Sequence, residues 1–298
     1  MLTIDLTGRR ALIAGIADER GFGFAIAKQL AAAGASVCAA TWPPAYRSFK
    51  GMLERGRYAD AMRQPDGTSF SFERVYPLDA RFELAADVPA EVRDNRRYRE
   101  FERFTIEDLA RSLAEDFGPP ALDIVVHCIA NGPEVTKPLL DASQNGYMQA
   151  INASSYSFVG LAKHLSPLLR PDASFLCLSF IAGERVIPGY GGGMSSAKAA
   201  LENDTRVLAY ELGRRCGARV NCISAGPWAS RAAGAVGFIE MMATHVANNA
   251  PIPRPITASE VADVAAFLAS PLARAVTGTT TYVDNGSHCM GIGFSGVQ

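Results

Sequence analysis

The sequence predicts an α/β fold, a single doubly wound domain on a parallel sheet of about seven strands with helices on both faces. Three observations carry this. Short apolar runs rich in β-branched residues alternate with longer amphipathic stretches along the whole chain, as βαβ units require. The interior runs show little polar alternation, which is how strands covered on both faces read. No internal repeat, Pro/Gly-rich linker or composition break divides the 298 residues, so residues 1–298 are expected to form one domain.

Taken in order, Arg10–Gly15 (RALIAG) is the first strand and Gly23–Gly34 a helix closed by its C-terminal glycine. Ser36–Thr41 and Arg74–Leu78 are the second and third strands. Thr105–Phe117 is a helix with Thr105 as N-cap, and Leu122–Cys128 a buried fourth strand. Tyr147–Leu169 reads as helix, Ser174–Phe180 as the fifth strand, Met194–Arg215 as the longest helix and Arg219–Ser224 as the sixth strand. Ser259–Ser270 is a helix capped by Ser259, and Gly278–Asp284 is the seventh strand. Two stretches break the rhythm: an insertion at about 43–73 and the polar segment Arg81–Phe104. Loops of that length in a compact domain are usually functional or inserted.

Charge and composition exclude several classes. Twenty-nine Lys+Arg against 30 Asp+Glu give a net charge of −1, which offers no basic face for phosphates, so no nucleic-acid partner is expected. The Arg93–Arg103 run (RDNRRYREFER) carries balancing acids and reads as a solvated face. No apolar run reaches the roughly 18–20 residues that span a bilayer, so no membrane association is expected. The start, MLTIDLTGRRALIAG, lacks the order of a secretory signal. The expected location is therefore cytoplasmic, although a mature plastid protein with its leader trimmed would read identically. Six cysteines and four histidines show no metal-ligand spacing, so neither a disulfide nor a metal is expected.

The chemistry begins where the first strand runs into Gly15-Ile16-Ala17-Asp18-Glu19-Arg20-Gly21-Phe22-Gly23-Phe24. A glycine turn between the first strand and a helix lets backbone N–H groups approach a pyrophosphate, a Rossmann-like arrangement. Here the spacing is G-x5-G-x-G. The second strand ends in Thr41-Trp42-Pro43-Pro44, with no acid to hold a ribose diol and no immediately following Lys or Arg to receive a 2′-phosphate. NADH is thus expected over NADPH, with Trp42 able to stack on adenine and Asp79, just past the third strand, placed to reach its amino group. Arg47 lies not far off. The densest stretch, Ser179–Lys198, joins the fifth strand to the longest helix. In short-chain dehydrogenases a Tyr and a Lys four residues later act together, but Tyr190 is followed at that spacing by Met194. The next lysine, Lys198, lies eight residues on, about two helical turns, so both side chains reach one cavity if the glycines unwind the first turn. The Ser that a ketone reductase places thirteen residues before its Tyr is Cys177 here, which disfavours ketone reduction.

The spaced Tyr/Lys pair, the glycine turn, His127–Val135 (HCIANGPEV), Ser224–Pro227 (SAGP) and above all Tyr190–Arg206 (YGGGMSSAKAALENDTR) together resemble enoyl-acyl-carrier-protein reductase, in its plastid-type branch of the short-chain dehydrogenase/reductase superfamily. The resemblance covers nearly the whole chain. It implies NADH-dependent reduction of a trans-2-enoyl thioester in fatty-acid elongation, with acyl-carrier protein as carrier and a homotetrameric assembly. It implies Tyr190 and Lys198 as catalytic, Tyr190 holding the thioester oxygen and Lys198 the nicotinamide ribose. Cofactor contacts would come from Gly15, Asp18, Gly21, Phe22, Trp42, Asp79, Ala80, Cys128, Ile129, Ala130, Lys198, Ala225, Gly226, Pro227, Trp228 and Ser230. The acyl chain would meet Gly132, Phe180, Met194, Ala232, Val236, Phe238 and Ile239, under a mobile segment at about 229–247.

The chain departs from the family pattern at several points. Phe180 stands where most relatives have a second pocket Tyr, and Trp228 replaces a smaller aliphatic residue. Glu240 and Met241 occupy positions that are often basic, which reduces electrostatic steering of an acidic carrier; Lys137, Arg231 and Arg254 are the candidate substitutes. Enoyl-CoA or another activated alkene is the alternative substrate, and a catalytically silent dinucleotide-binding protein the alternative class.

Overall fold

The computed structural model describes residues 3–64, 66–230, 234 and 237–291. Its seven strands form one parallel sheet in the order β3-β2-β1-β4-β5-β6-β7. β1 (Arg10–Ala14), α1 (Phe22–Ala32) and β2 (Ser36–Thr41) make the first unit; α2 (Pro43–Glu54) and α3 (Ala59–Met62) lead to β3 (Phe72–Pro77). α4 (Ala90–Arg93) and α5 (Ile106–Phe117) precede β4 (Leu122–His127). α6 (Gln144–Ile151) and α7 (Ser157–Leu165) precede β5 (Leu169–Ser179). α8 (Met194–Cys216), β6 (Arg219–Ala225), α9 (Ile239–Asn249), α10 (Ala258–Ala269) and β7 (Thr280–Val283) complete the chain.

Strand order reverses between β1 and β4. The loops leaving these two strands diverge to opposite faces and open a crevice at their carboxyl ends. All residues of β4 and of β6 are buried, the reason these segments read as continuous apolar runs. Val125 packs with Ile106, Leu109, Phe158 and Leu201 on one face, while its neighbour Val126 packs with Ile26, Leu30, Val261 and Ala265 on the other. Asp123 ties the amino end of the sheet, accepting from Arg9 Nη1 at 2.7 Å, the Arg10 amide at 2.9 Å and Arg170 Nη1 at 3.3 Å.

Three expectations need correction. The 43–73 stretch is not a bare loop: α2 and α3 occupy part of it, α2 being entered through Pro43 and Pro44 in its first turn, a position where missing N–H groups cost nothing. It packs Phe49 into an aromatic cluster with Phe24, Tyr58, Phe70 and Phe72. The helix expected over Tyr147–Leu169 is α6 and α7 joined by a π-helical turn at Asn152–Tyr156, and Leu169 already belongs to β5. Finally, α10 is capped by Thr257, not Ser259. Thr257 Oγ1 accepts from the Glu260 amide, and Glu260 Oε2 accepts from the Thr257 amide at 2.7 Å. That is a T-x-x-E capping box two residues earlier. Thr105 caps α5 as expected, with Asp108 closing the reciprocal bond.

Candidate active site

At the crevice lies a cavity of about 270 Å³, and the local reasons for its shape are steric. Gly15 leaves β1 at φ 108°, and a Cβ there would sit 2.4 Å from the Cys128 carbonyl oxygen. Only glycine lets the exits of β1 and β4 pass this closely. Asp18 Oδ1 accepts from the Arg20 amide at 2.9 Å, shaping the turn, and Trp228 Nε1 donates to the Arg20 carbonyl at 2.8 Å. The loop after β6 is thereby fastened to the glycine turn. α1 then starts at Phe22 with no acid in its first turn, so no carboxylate on the helix itself offsets its positive end at the cavity. A pyrophosphate fits that donor set.

The opposite wall comes from the glycine run before α8. A Cβ on Gly191 would lie 1.9 Å from the Lys137 carbonyl oxygen, and one on Gly192 2.1 Å from that of Glu134. The Gly191 and Gly192 amides donate to the carbonyls of Val135 and Lys137 at 2.8 and 3.0 Å. This close backbone contact delays the start of α8 to Met194 and turns Tyr190 into the cavity, eight residues before Lys198. The Tyr190 ring meets Phe180 edge-on at 5.3 Å. Among the described residues its phenol oxygen has no hydrogen-bond partner, and burial pushes its pKa up to about 12. Lys198 is 5% exposed and donates from Nζ to the Leu178 carbonyl at 2.9 Å. Burial pulls its pKa down.

Of the residues singled out from sequence, the cavity is lined by Gly15, Gly21, Phe22, Cys128, Ile129, Ala130, Gly132, Phe180, Tyr190, Met194, Lys198, Ala225, Gly226, Pro227, Trp228, Ser230 and Ile239. Outside this lining stand Asp18, within its own turn, and Phe238, whose ring packs over Gly189. Ala80 is buried in the core. Trp42 and Asp79 also lie outside, bonded to each other by Trp42 Nε1 to Asp79 Oδ2 at 3.2 Å. Asp79 is saturated: Arg81 reaches it through Nε at 3.0 Å and Nη2 at 2.7 Å, and Tyr98 through its hydroxyl at 2.8 Å. Those bonds hold its carboxyl below the ordinary range against the opposing effect of burial. Ala232 and Val236 lie outside the described residues.

Three buried polar residues behind the cavity lining are assigned no role by the sequence. Ser154, in the π-helical turn, accepts from the Asn131 amide at 2.9 Å and donates to its carbonyl at 3.1 Å, holding the loop after β4. A π turn is itself a marker of functional positions. Glu202 lies one turn beyond Lys198 on α8, accepts from Ser179 Oγ, and has its pKa raised by burial. His127, fully buried, contacts Ser157 Oγ at 2.7 Å through Nε2, and burial lowers its pKa to about 3, keeping it neutral.

Comparison with known proteins follows the same lines. The family described as Enoyl-(Acyl carrier protein) reductase matches residues 78–288. The chloroplastic NADH enoyl-[acyl-carrier-protein] reductase of Arabidopsis thaliana is 55% identical over 291 residues, covering 98% of this chain and 74% of that one. The NADH enoyl-[acyl-carrier-protein] reductase of a Nostoc species is 36% identical, covering 97% of this chain and 100% of its own. The crystal structure of Plasmodium berghei enoyl-acyl-carrier-protein reductase with triclosan superposes with a TM-score of 0.93 at 42% identity, over 95% of this chain and 98% of that one.

Proposed function

Because this chain belongs to the enoyl-acyl-carrier-protein reductase family, we infer that it reduces trans-2-enoyl thioesters with NADH in fatty-acid elongation, Tyr190 and Lys198 being its catalytic pair. One observation supports this pairing most: a phenol without a hydrogen-bond partner among the described residues and a buried ammonium open on the same cavity as the glycine turn of β1. When bound, NADH supplies the hydride that reaches the β-carbon of the enoyl thioester. The charge that develops on the thioester oxygen is met by the Tyr190 hydroxyl, a preorganised donor with a pKa high enough to stay protonated. Lys198 holds the ribose hydroxyls and, by its charge, favours proton delivery from the phenol. Phe180 fixes the tyrosine ring. The first turn of α1 and Ser230 take the pyrophosphate, and Pro227 with Trp228 orients the carboxamide.

Beyond the pair, the reading extends to the whole chain, 1–298, as one reductase unit, with residues 229–247 covering the acyl chain. Ile239 and Met242 already line the cavity from α9. Acyl-carrier protein is the carrier, the assembly is a homotetramer, and the chloroplastic relatives favour a plastid location over a cytoplasmic one. The test is loss of NADH absorbance on adding a short trans-2-enoyl-CoA and then the acyl-carrier thioester. Turnover with either supports the reading. Tight NADH binding with no turnover on both overturns it and leaves a silent dinucleotide-binding protein.

A further inference from the structure

We propose that Phe238 is a positioning residue for Tyr190, acting through Gly189, and not only a wall of the acyl space. This rests on the reading of Tyr190 as a catalytic residue. The family resemblance puts Phe238 on the acyl chain, but its ring stands outside the cavity lining and against the glycine that precedes the tyrosine. A Cβ on Gly189 would sit 2.7 Å from Phe238 Cε1 and 2.8 Å from Cζ, so the ring lies directly on the backbone there. Phe238 is the N-cap residue of α9, and Ile239 and Met242, from the first turn of that helix, line the cavity. The start of α9 thus serves two surfaces, the cavity through the helix and the tyrosine turn through its cap.

The local chain shows why that contact bears on the phenol. Ile187-Pro188-Gly189-Tyr190 is a tight turn, closed by the Tyr190 amide donating to the Ile187 carbonyl at 3.1 Å. Proline second and glycine third, with Gly189 at φ 86°, match the type II pattern. On the far side of Tyr190 the Gly191 and Gly192 amides anchor the backbone to the carbonyls of Val135 and Lys137. On the near side the chain from Glu184 to Gly189 is exposed apart from the half-buried Ile187. There the Phe238 ring covers the third residue of the turn, while Phe180 meets the Tyr190 ring itself. A turn that swings at Gly189 carries the phenol with it, and small displacements of a reacting group cost turnover steeply.

Steady-state kinetics with saturating NADH, on trans-2-enoyl-CoA of four and of twelve carbons, tests this with Phe238→Ala, Gly189→Ala and the double variant, Tyr190→Phe serving as control. The four-carbon acyl group carries one methyl beyond its double bond, so a residue that only walls the acyl space does not govern its kcat. Phe238→Ala is expected to lower kcat on the order of tenfold on both substrates. The double variant is expected to lose less than the product of the two single losses, because the new methyl at Gly189 then meets no ring. Should the alanine variant melt more than about 3 °C below the unaltered chain, Phe238→Leu takes its place in the same comparison. A fall of less than threefold on the four-carbon substrate, a rise in KM for the twelve-carbon substrate alone, or multiplicative losses in the double variant overturns the positioning role while Tyr190→Phe still loses turnover. Turnover kept by Tyr190→Phe sinks the reading of the phenol and the proposal with it.

Discussion

Replacing Lys198 with methionine should make the protein more stable and nearly inactive. The ammonium is 5% exposed and, among the described residues, has one hydrogen bond, to the Leu178 carbonyl. A lysine carries three donors, and its surroundings are thiols and a carboxyl that burial itself drives toward the neutral form. Burying such an ion costs several kcal/mol, which one carbonyl offsets only in part. Methionine is unbranched, of similar length and pliant enough to fill the same space. Its own cost is the Leu178 carbonyl left unpaired, about 1–3 kcal/mol. The balance is a gain of about 2 kcal/mol, or roughly 4 °C in Tm for a chain this long. The pH dependence gives a second handle. Because the folded-state pKa of Lys198 lies below the unfolded one, the unfolded chain holds more protons between the two values, and stability of the unaltered protein rises with pH across that window. The variant has no such rise, so its advantage should shrink as the solution becomes alkaline. Urea unfolding of both chains without cofactor, at one protein concentration, at neutral pH and at about pH 10, measures both effects. A variant less stable by more than about 1 kcal/mol, or an advantage that grows with pH, would refute the reasoning. Activity should fall on the order of 10²–10³-fold.

Tyr190→Phe removes one hydroxyl and keeps the contact with Phe180; kcat should drop roughly 10²–10³-fold while the NADH Kd, read by fluorescence titration, stays within twofold. Gly191→Ala drives a methyl to 1.9 Å from the Lys137 carbonyl oxygen, so calorimetry should show a loss of about 1–3 kcal/mol and kcat should fall with it as the Tyr190 turn shifts. Glu83 accepts from Lys163, Tyr156 and His164, with Lys163 the main cause of a pKa of about 2. Its folded pKa is depressed, so its contribution is present above the unfolded value of 4.5 and lost as pH falls toward 2. Glu83→Gln should therefore cost about 1 kcal/mol at neutral pH, allowing for solvent screening, and flatten acid denaturation between those values; an unchanged acid limb would count against it.

What the sequence made legible and what it hid divide along one physical line. Strands and helices show through because burial on both faces leaves a periodic trace, as in β4, and because a cap such as Thr105 acts within four residues. The glycine turn shows for the same reason, since steric need at Gly15 is written where it acts, whereas the Tyr190–Lys198 pairing, at an unusual spacing, rests on the family resemblance. The capping box at Thr257 was equally local, and Ser259 misled only because it too is a good cap.

Partners that meet across the fold left no such trace. Asp79 reads from the sequence as placed to reach adenine; in space its carboxylate is also engaged by Tyr98, nineteen residues on, and Trp42, thirty-seven back, beside its near neighbour Arg81. The Arg93–Arg103 run reads as a solvated face because its acids balance its bases along the chain. In space the balance is uneven: Glu100 pairs with Arg47, fifty-three residues distant, and the pair lines one hollow together with Arg96, Arg97 and Arg99. Charge counted along a sequence measures solubility; charge counted around a cavity measures what the cavity will hold.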